Sequence, residues 1–369
     1  MNELLTTSPG FRADAAAVRR LRRERETDDD TGPAAASELL ALRHREVMLT
    51  GGRPEDLLAL GRDLDEATDR FPTWPDLRLL RATVALAVHQ PDVATAALHA
   101  MPGLPDLPPG RVLAADIALF TGDYSAARAG YRRAADEDPL WSTTARLAAL
   151  AVATGSWDEG DHLFTAAEDE LTAKQMRAFA WVRVQRAELA RATGDPDRAG
   201  RLLADAERAY PDWWCVAAHR AALDLAQERW EPAIDGYRGV LAEVDRPEFR
   251  EALGTAFAGA GRSECAAECH AYAVSAYLAS VARGEVHYLH HLAAFHADVH
   301  PHPGSAVVWA QQDADLRRSG PTLSLLAWCL HRAGRRDEAL AVLDEAFALG
   351  AADPQLRTRA RLIREGNCA

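Results

Sequence analysis

"LFTGDYSAARAGYRRAADEDP", residues 119–139, decides how this chain is read, because its plan returns three more times. The other copies are "VATGSWDEGDHLFTAAEDE" (152–170), "RATGDPDRAGRLLADAERAYP" (191–211) and "HRAGRRDEALAVLDEAFALGAADP" (331–354). Each sets a glycine (Gly122, Gly155, Gly194, Gly334) before a polar or aromatic residue, with an alanine a few places later. The first three glycines lie 33 and 39 residues apart, and two looser copies, 225–247 and 258–277, fill the gap before the fourth. A period in this range belongs to arrays of helical units.

The physical plan of one unit follows from its residues. An Ala-rich helix ends at a glycine that can take the left-handed conformation closing a helix. A polar pair then makes the turn, and a second helix follows, whose small residue lets its neighbour approach closely. Pro139, Pro211, Pro247 and Pro354 stand shortly after such second helices and stop them. A helical hairpin of this size cannot bury its apolar stripe alone, so successive hairpins must stack over one continuous core. The predicted fold is all-α: a right-handed superhelical solenoid of about nine hairpins with a groove and a C-terminal capping helix.

Composition agrees. Alanine and arginine are abundant, Lys174 is the only lysine, and aromatics make up 7%, all of which favours helix over a β-rich core. A net charge of −13 argues against a nucleic-acid partner, whose phosphates call for Lys and Arg. Cys215, Cys265, Cys269, Cys329 and Cys368 are odd in number and lack a framework spacing, which points to free thiols in a reducing compartment. No apolar run approaches a membrane span, and the N-terminus does not resemble a leader, so a cytoplasmic chain off the membrane is expected.

The units resemble tetratricopeptide repeats. In "REALGTAFAGAGRSECAAECHAYAVSAY" (250–277), Leu253, Gly254 and Phe257 match the family's large, small and large positions of the first helix, and Gly261 matches the turn. In "LSLLAWCLHRAGRRDEALAVLDEAFALG" (323–350), Leu326, Ala327, Leu330, Gly334, Ala339 and Ala346 match correspondingly. The C-terminal hairpins are similar to those closing many bacterial tetratricopeptide proteins. The hairpins are placed at 38–72, 76–104, 108–139, 140–172, 178–211, 213–247, 248–283, 286–318 and 320–352. Residues 353–369 form the capping helix and tail. Residues 1–37, where "RRLRRERETDDDTGP" sets a basic run against an acidic one, are expected as a frayed or partly disordered helix and linker.

The resemblance implies a non-catalytic scaffold that holds a protein or peptide on its concave face. With Ala293 in the small central position of the eighth hairpin, His287 and His290 fall on the groove side and His296 inward. The same frame places Glu188, Arg191, Glu248, Glu251, Trp328, His331 and Arg332 on the groove, with Glu251 and His290 a plausible contact. The family's clamp for acidic C-termini needs Lys and Asn at groove positions, which this chain lacks.

Six of the thirteen histidines crowd into "GEVHYLHHLAAFHADVHPHP" (284–303), which raises a competing role as a metal-binding accessory protein. His287 with His290 or with His291, plus Glu251 or Glu285, form a candidate set for a divalent transition metal, since histidines at i and i+3 or i+4 share a helix face. Cys265, Cys269, His300 and His302 are a second conceivable set. Neither has a standard spacing, and no metal or other cofactor is the favoured expectation. No nucleophile elbow, phosphate-binding glycine loop or His-Glu-x-x-His motif is present. Trp157 and Trp230 at turn positions, and Trp213 with Trp214 between hairpins, are expected to be packing residues, with Trp309 in the core.

Overall fold

The computed structural model describes residues 10–366, and every regular element among them is a helix. A first helix, α1 (Phe11–Glu26), precedes the array. The hairpins then run α2 (Pro33–Leu49) with α3 (Pro54–Arg70), α4 (Pro75–Ala87) with α5 (Pro91–His99), and α6 (Pro108–Thr121) with α7 (Tyr124–Glu137). Next come α8 (Trp141–Ala153) with α9 (Trp157–Asp169), α10 (Met176–Ala192) with α11 (Pro196–Ala209), and α12 (Trp214–Ala226) with α13 (Trp230–Glu243). The last are α14 (Pro247–Gly259) with α15 (Ser263–Ala282), α16 (Leu289–Ala294) with α17 (Pro303–Leu316), and α18 (Gly320–Arg332) with α19 (Arg336–Ala348). Helix α20 (Pro354–Glu365) closes the array, and a π turn, Phe295–Val299, continues α16.

Local chemistry sets these boundaries. Pro54, Pro75, Pro91, Pro196, Pro247 and Pro354 each stand at a helix start, where the missing N–H would have no partner anyway. Asp123, Asp195 and Asp353 accept the N–H of Ala126, Arg198 and Leu356 at 2.9–3.0 Å, satisfying donors that a helix start leaves open. Inside a hairpin the helices touch through small residues: a Cβ on Gly254 would overlap the His270 ring of the partner helix.

The N-terminal segment differs from expectation. Helix α1 is docked rather than frayed: Phe11, Ala15 and Val18 are buried, and buried Asp14 accepts the Tyr210 hydroxyl at 2.7 Å. The expected boundary at 37/38 falls inside α2, which Pro33 starts after Gly32. Residues 1–9 and 367–369, with Cys368, lie outside the described part.

The feature that shapes the molecule is a seam between distant hairpins. The Phe11 N–H donates to the Pro211 carbonyl at 3.2 Å, and the Trp214 indole N–H to the Leu49 carbonyl at 2.8 Å. Arg246 donates to the Gly51 carbonyl at 2.8 Å, the Gly320 N–H to the Tyr124 hydroxyl at 2.7 Å, and the Ala352 N–H to the Ala153 carbonyl at 2.8 Å. The partners of the Asp14, Gly51 and Tyr124 bonds are 195 or 196 residues apart. With one hairpin every thirty-odd residues, the chain returns onto itself after between five and six hairpins. Turns inside the first hairpins then seat on the connections between later ones.

Apolar packing follows the same seam. One core joins Ala115, Tyr131 and Leu150 to Leu326, Trp328 and Leu343; another joins Val18 and Leu49 to Leu203 and Val216. The two turns of the solenoid therefore share interior instead of enclosing an open spiral gap. Helix α18 shows the result most clearly, with Gly320 and every residue from Thr322 to His331 buried.

Candidate functional site

The histidine-rich stretch lies where the first turn of the solenoid meets the second. Helix α16 begins only at Leu289, so His287 precedes it in the connection from α15. His287 and His290 thus share no helix face. The ring Nε2 of His287 meets the Ser280 hydroxyl of α15 at 3.3 Å, whereas Nδ1 of His290 bonds Asp313 of α17 at 3.0 Å. Glu251 is not the partner of His290: its carboxylate accepts the Tyr277 hydroxyl at 2.7 Å.

Around these bonds the structure assembles further residues. The ring of His291 stacks on Tyr277, 5.5 Å between centroids, and Tyr277 lies 4.8 Å from Tyr288. From the first turn comes His89, in the tight turn between α4 and α5 with a positive φ of 62°. Its ring packs 5.3 Å from Phe120, which the Arg317 guanidinium covers at 4.5 Å.

Burial sets the protonation of this cluster. Removal from water lowers His287 and His291 to about 4, against the opposing pull of Glu248. His89 drops to about 3 through burial and then the nearby Arg317 charge. For Glu251, burial outweighs the Tyr277 hydrogen bond and, with the neighbouring Glu248 charge, raises it to about 7. Burial of Asp313 is outweighed by the His290 hydrogen bond and the Arg317 charge, which hold it below the usual carboxylate range. Three neutral imidazoles beside a carboxylate of raised pKa make a packed polar core.

No group of three or more His, Cys, Asp or Glu side chains among the described residues is arranged to hold a metal. The expected sets are dispersed by their own hydrogen bonds. His302 caps α17 by accepting the Ser305 N–H at 3.3 Å, His300 stacks on Phe295, and Cys265 is exposed on α15.

The other predicted groove residues take different positions. Glu188 and Arg191 pair with each other at 2.7 Å on α10 and stay partly exposed. Glu248 pairs with Arg246 and accepts from Tyr288. Trp328 is 6% exposed, and its indole N–H donates to Asp298 at 2.8 Å. His331 is 5% exposed beside it, and Arg332 donates to the Ala297 carbonyl at 3.3 Å. Trp328 and His331 were expected on an open groove, but both are buried, Trp328 as a member of the core shared between the two turns. Of the packing tryptophans, Trp213 lies edge-on to Tyr210, and Trp214 serves the seam.

Open grooves among the described residues lie elsewhere, and two concern us. One, of about 560 Å³, runs between α17 and α19 over Val307, Val308, Leu330, Ala341 and Val342. The other, of about 520 Å³, lies between α19 and α20.

No family model matches the sequence, and a search of curated proteins gives no significant match. Solved structures do share its shape. A tetratricopeptide repeat protein from Parabacteroides merdae superposes with a TM-score of 0.50 over 67% of this chain and 92% of its own, at 14% identity. The chain folds as a tetratricopeptide-like solenoid. The Cut9-Hcn1 hetero-tetramer of APC/C gives 0.52 at 13% identity over 94% of this chain, which spans only 59% of that one. The human IFIT1 dimer with m7Gppp-AAAA gives 0.50 at 15% identity, over 92% and 94%. At such identities the shared property is the fold. No helix of this solenoid, among the described residues, is long and apolar enough to cross a membrane.

His89, Tyr277, Tyr288 and Asp313 were not among the predicted site residues, and His291 entered only as an alternative metal partner of His287. Tyr277, Tyr288 and His291 carry a faint signal as aromatics within or beside the histidine run. His89 carries none, because only the seam brings it to α17.

Proposed function

We propose that this chain is a non-catalytic scaffold that holds a protein or peptide partner on surfaces its own second turn leaves uncovered. The observation that carries this is the groove between α17 and α19, where Val308 stands 52% exposed among Val307, Ala341 and Val342. An open apolar trough of that size falls within the range of binding clefts, about 300–1,000 Å³, and contiguous exposed apolar surface commonly marks an interaction site. Gln311, Arg335 and Glu338 along its walls would orient the partner. Partner recognition on the concave side is left to the partly exposed pair Glu188 and Arg191.

The test is cross-linking and affinity purification from the cells that make the protein, with wild type, Val308→Arg and Glu188→Ala/Arg191→Ala compared. A stoichiometric partner retained by wild type and lost from Val308→Arg is the expected result. A partner lost only from the double variant would return the interface to the concave side. No stoichiometric partner at all would overturn the scaffold role.

The proposal includes no metal. Protein purified without a histidine-affinity step should hold less than about 0.2 metal ion per chain, and Zn²⁺ should leave its melting temperature unchanged, since a tight ligand must stabilise the folded state. A stoichiometric ion would restore the metal-dependent alternative.

A further inference from the structure

The groove between α19 and α20 has a charge character unlike the rest of this acidic chain. Helix α20 presents Leu356, Ala360 and Ile363 to the core. Its neighbouring face carries Arg357, Arg361 and Arg364, at i, i+4 and i+7, so the three guanidinium groups rise in a row one helical turn apart. All three are exposed, and all three line the groove with Phe347, Ala352 and Ala360.

Many other arginines of this molecule face carboxylates, while some, such as Arg78, Arg128 and Arg336, bond carbonyl or hydroxyl oxygens. Arg335 pairs with Glu338, Arg318 with Glu345, Arg186 with Asp161 and Glu168, and Arg81 with Asp65. Among the described residues, none of the three groove arginines has a carboxylate partner within ion-pair distance. Arg364 lies over the Phe347 ring at 5.3 Å and Arg357 over Trp157 at 5.4 Å, so two of the side chains are held by aromatic faces and not by ion pairs. Glu365, at the end of the groove, is the one carboxylate among its lining residues. In a chain of net charge −13, this row of three exposed arginines sits beside an apolar floor of Phe347, Ala352 and Ala360.

From these observations we infer that the α19–α20 groove is a docking site for an acidic, partly apolar peptide segment of a partner protein. Carboxylates along one edge of the segment meet Arg357, Arg361 and Arg364, and an apolar side chain seats on Phe347, Ala352 and Ala360. Exposed guanidinium groups fork onto carboxylates with two parallel hydrogen bonds, and this geometry favours Arg over Lys for such a role. Arg357 also touches Trp157 of the first turn, so an occupant of the groove spans the seam near its Ala153–Ala352 bond.

The site is separate from the α17–α19 trough and is decided by its own measurement. The probe is a fluorescein-labelled twelve-residue peptide of three Asp-Glu-Leu-Glu repeats, titrated with full-length protein and read by fluorescence anisotropy. Its control is the same peptide with Asn and Gln in place of Asp and Glu. Saturable binding of the acidic peptide is expected, with at least tenfold weaker binding by Arg361→Glu/Arg364→Glu and none of the neutral peptide. Raising salt from about 50 to 300 mM should weaken it several-fold, because the Debye length falls from roughly 14 to 6 Å. Both substituted side chains are exposed, so the variant should keep the wild-type circular dichroism and melting temperature; if it does not, Arg361→Ala replaces it.

Absence of saturable binding overturns the inference, as does binding that neither variant weakens. A labelled ten-nucleotide poly(A) RNA that binds more tightly than the peptide, and loses affinity in the same variant, overturns the choice of a peptide. Failure of the partner purification above, with this titration succeeding, would remove the scaffold role in cells and leave the groove intact.

Discussion

Gly122 has no room for a methyl group, since a Cβ there would overlap the carbonyl oxygen of Arg318 across the seam. Its φ of 93° also lies in the left-handed region. Gly334 occupies the corresponding turn of the ninth hairpin with φ 76°, yet nothing lies within 4 Å of the site a Cβ would take. The pair therefore separates two costs. Gly334→Ala should lose only the left-handed strain, about 1 kcal/mol. Gly122→Ala adds the clash and should lose roughly 3 kcal/mol in total. Urea unfolding of both variants measures the difference, and equal losses would mean that the seam at Arg318 yields freely. Beside it, Tyr124→Phe leaves the buried Gly320 N–H without its acceptor at a cost of about 1–3 kcal/mol.

The cluster around α16 gives the molecule a pH response, with His89 supplied by the α4–α5 turn and Glu251 by α14. His287 and His291, at about 4, and His89, at about 3, bind protons less readily folded than unfolded. The stability they contribute is complete above the ordinary histidine value near 6.5 and is lost as pH falls toward their folded values. Glu251, raised to about 7, acts in the opposite sense: its contribution is present at acid pH and is lost as pH rises through 7. The melting temperature should therefore fall between pH 7 and pH 5. The drop should shrink in His291→Phe, which keeps a ring against Tyr277. An unchanged melting temperature over that range would place these imidazoles in water. At this scale the sequence is legible in its glycine stops and in the small positions Gly254, Ala293 and Ala327, while Pro247 and Pro354, read as stops, also open the next helices. What it conceals is the register of α16. Periodicity extends a helix back through His287, while the structure starts it at Leu289 and widens its end into a π turn, so the two predicted ligands part.

As a whole, the solenoid departs from the behaviour of a linear array, in which each hairpin touches only its neighbours and unfolding can spread repeat by repeat. Here Leu150 and Leu326 share one core, and Leu49 and Val216 another. Unfolding should follow a single transition, with tryptophan fluorescence and helical circular dichroism coinciding, and Gly122→Ala should pull the two curves apart. Coincident curves in that variant would show that the apolar cores alone carry the coupling. The seam also explains why the predicted concave surface could not be read correctly: a repeat pattern specifies neighbours one period away, and contacts 195 or 196 residues apart leave no periodic trace. Trp328 and His331 look like groove residues in the repeat pattern, yet both are buried. The same register constrains how such a chain can change through time. A linear array can gain or lose a unit by duplication or deletion and remain an array. Removing one hairpin between Tyr124 and Gly320 would shift the seam bonds that span it by a whole unit, so this molecule has a fixed number of repeats and must vary by substitution instead.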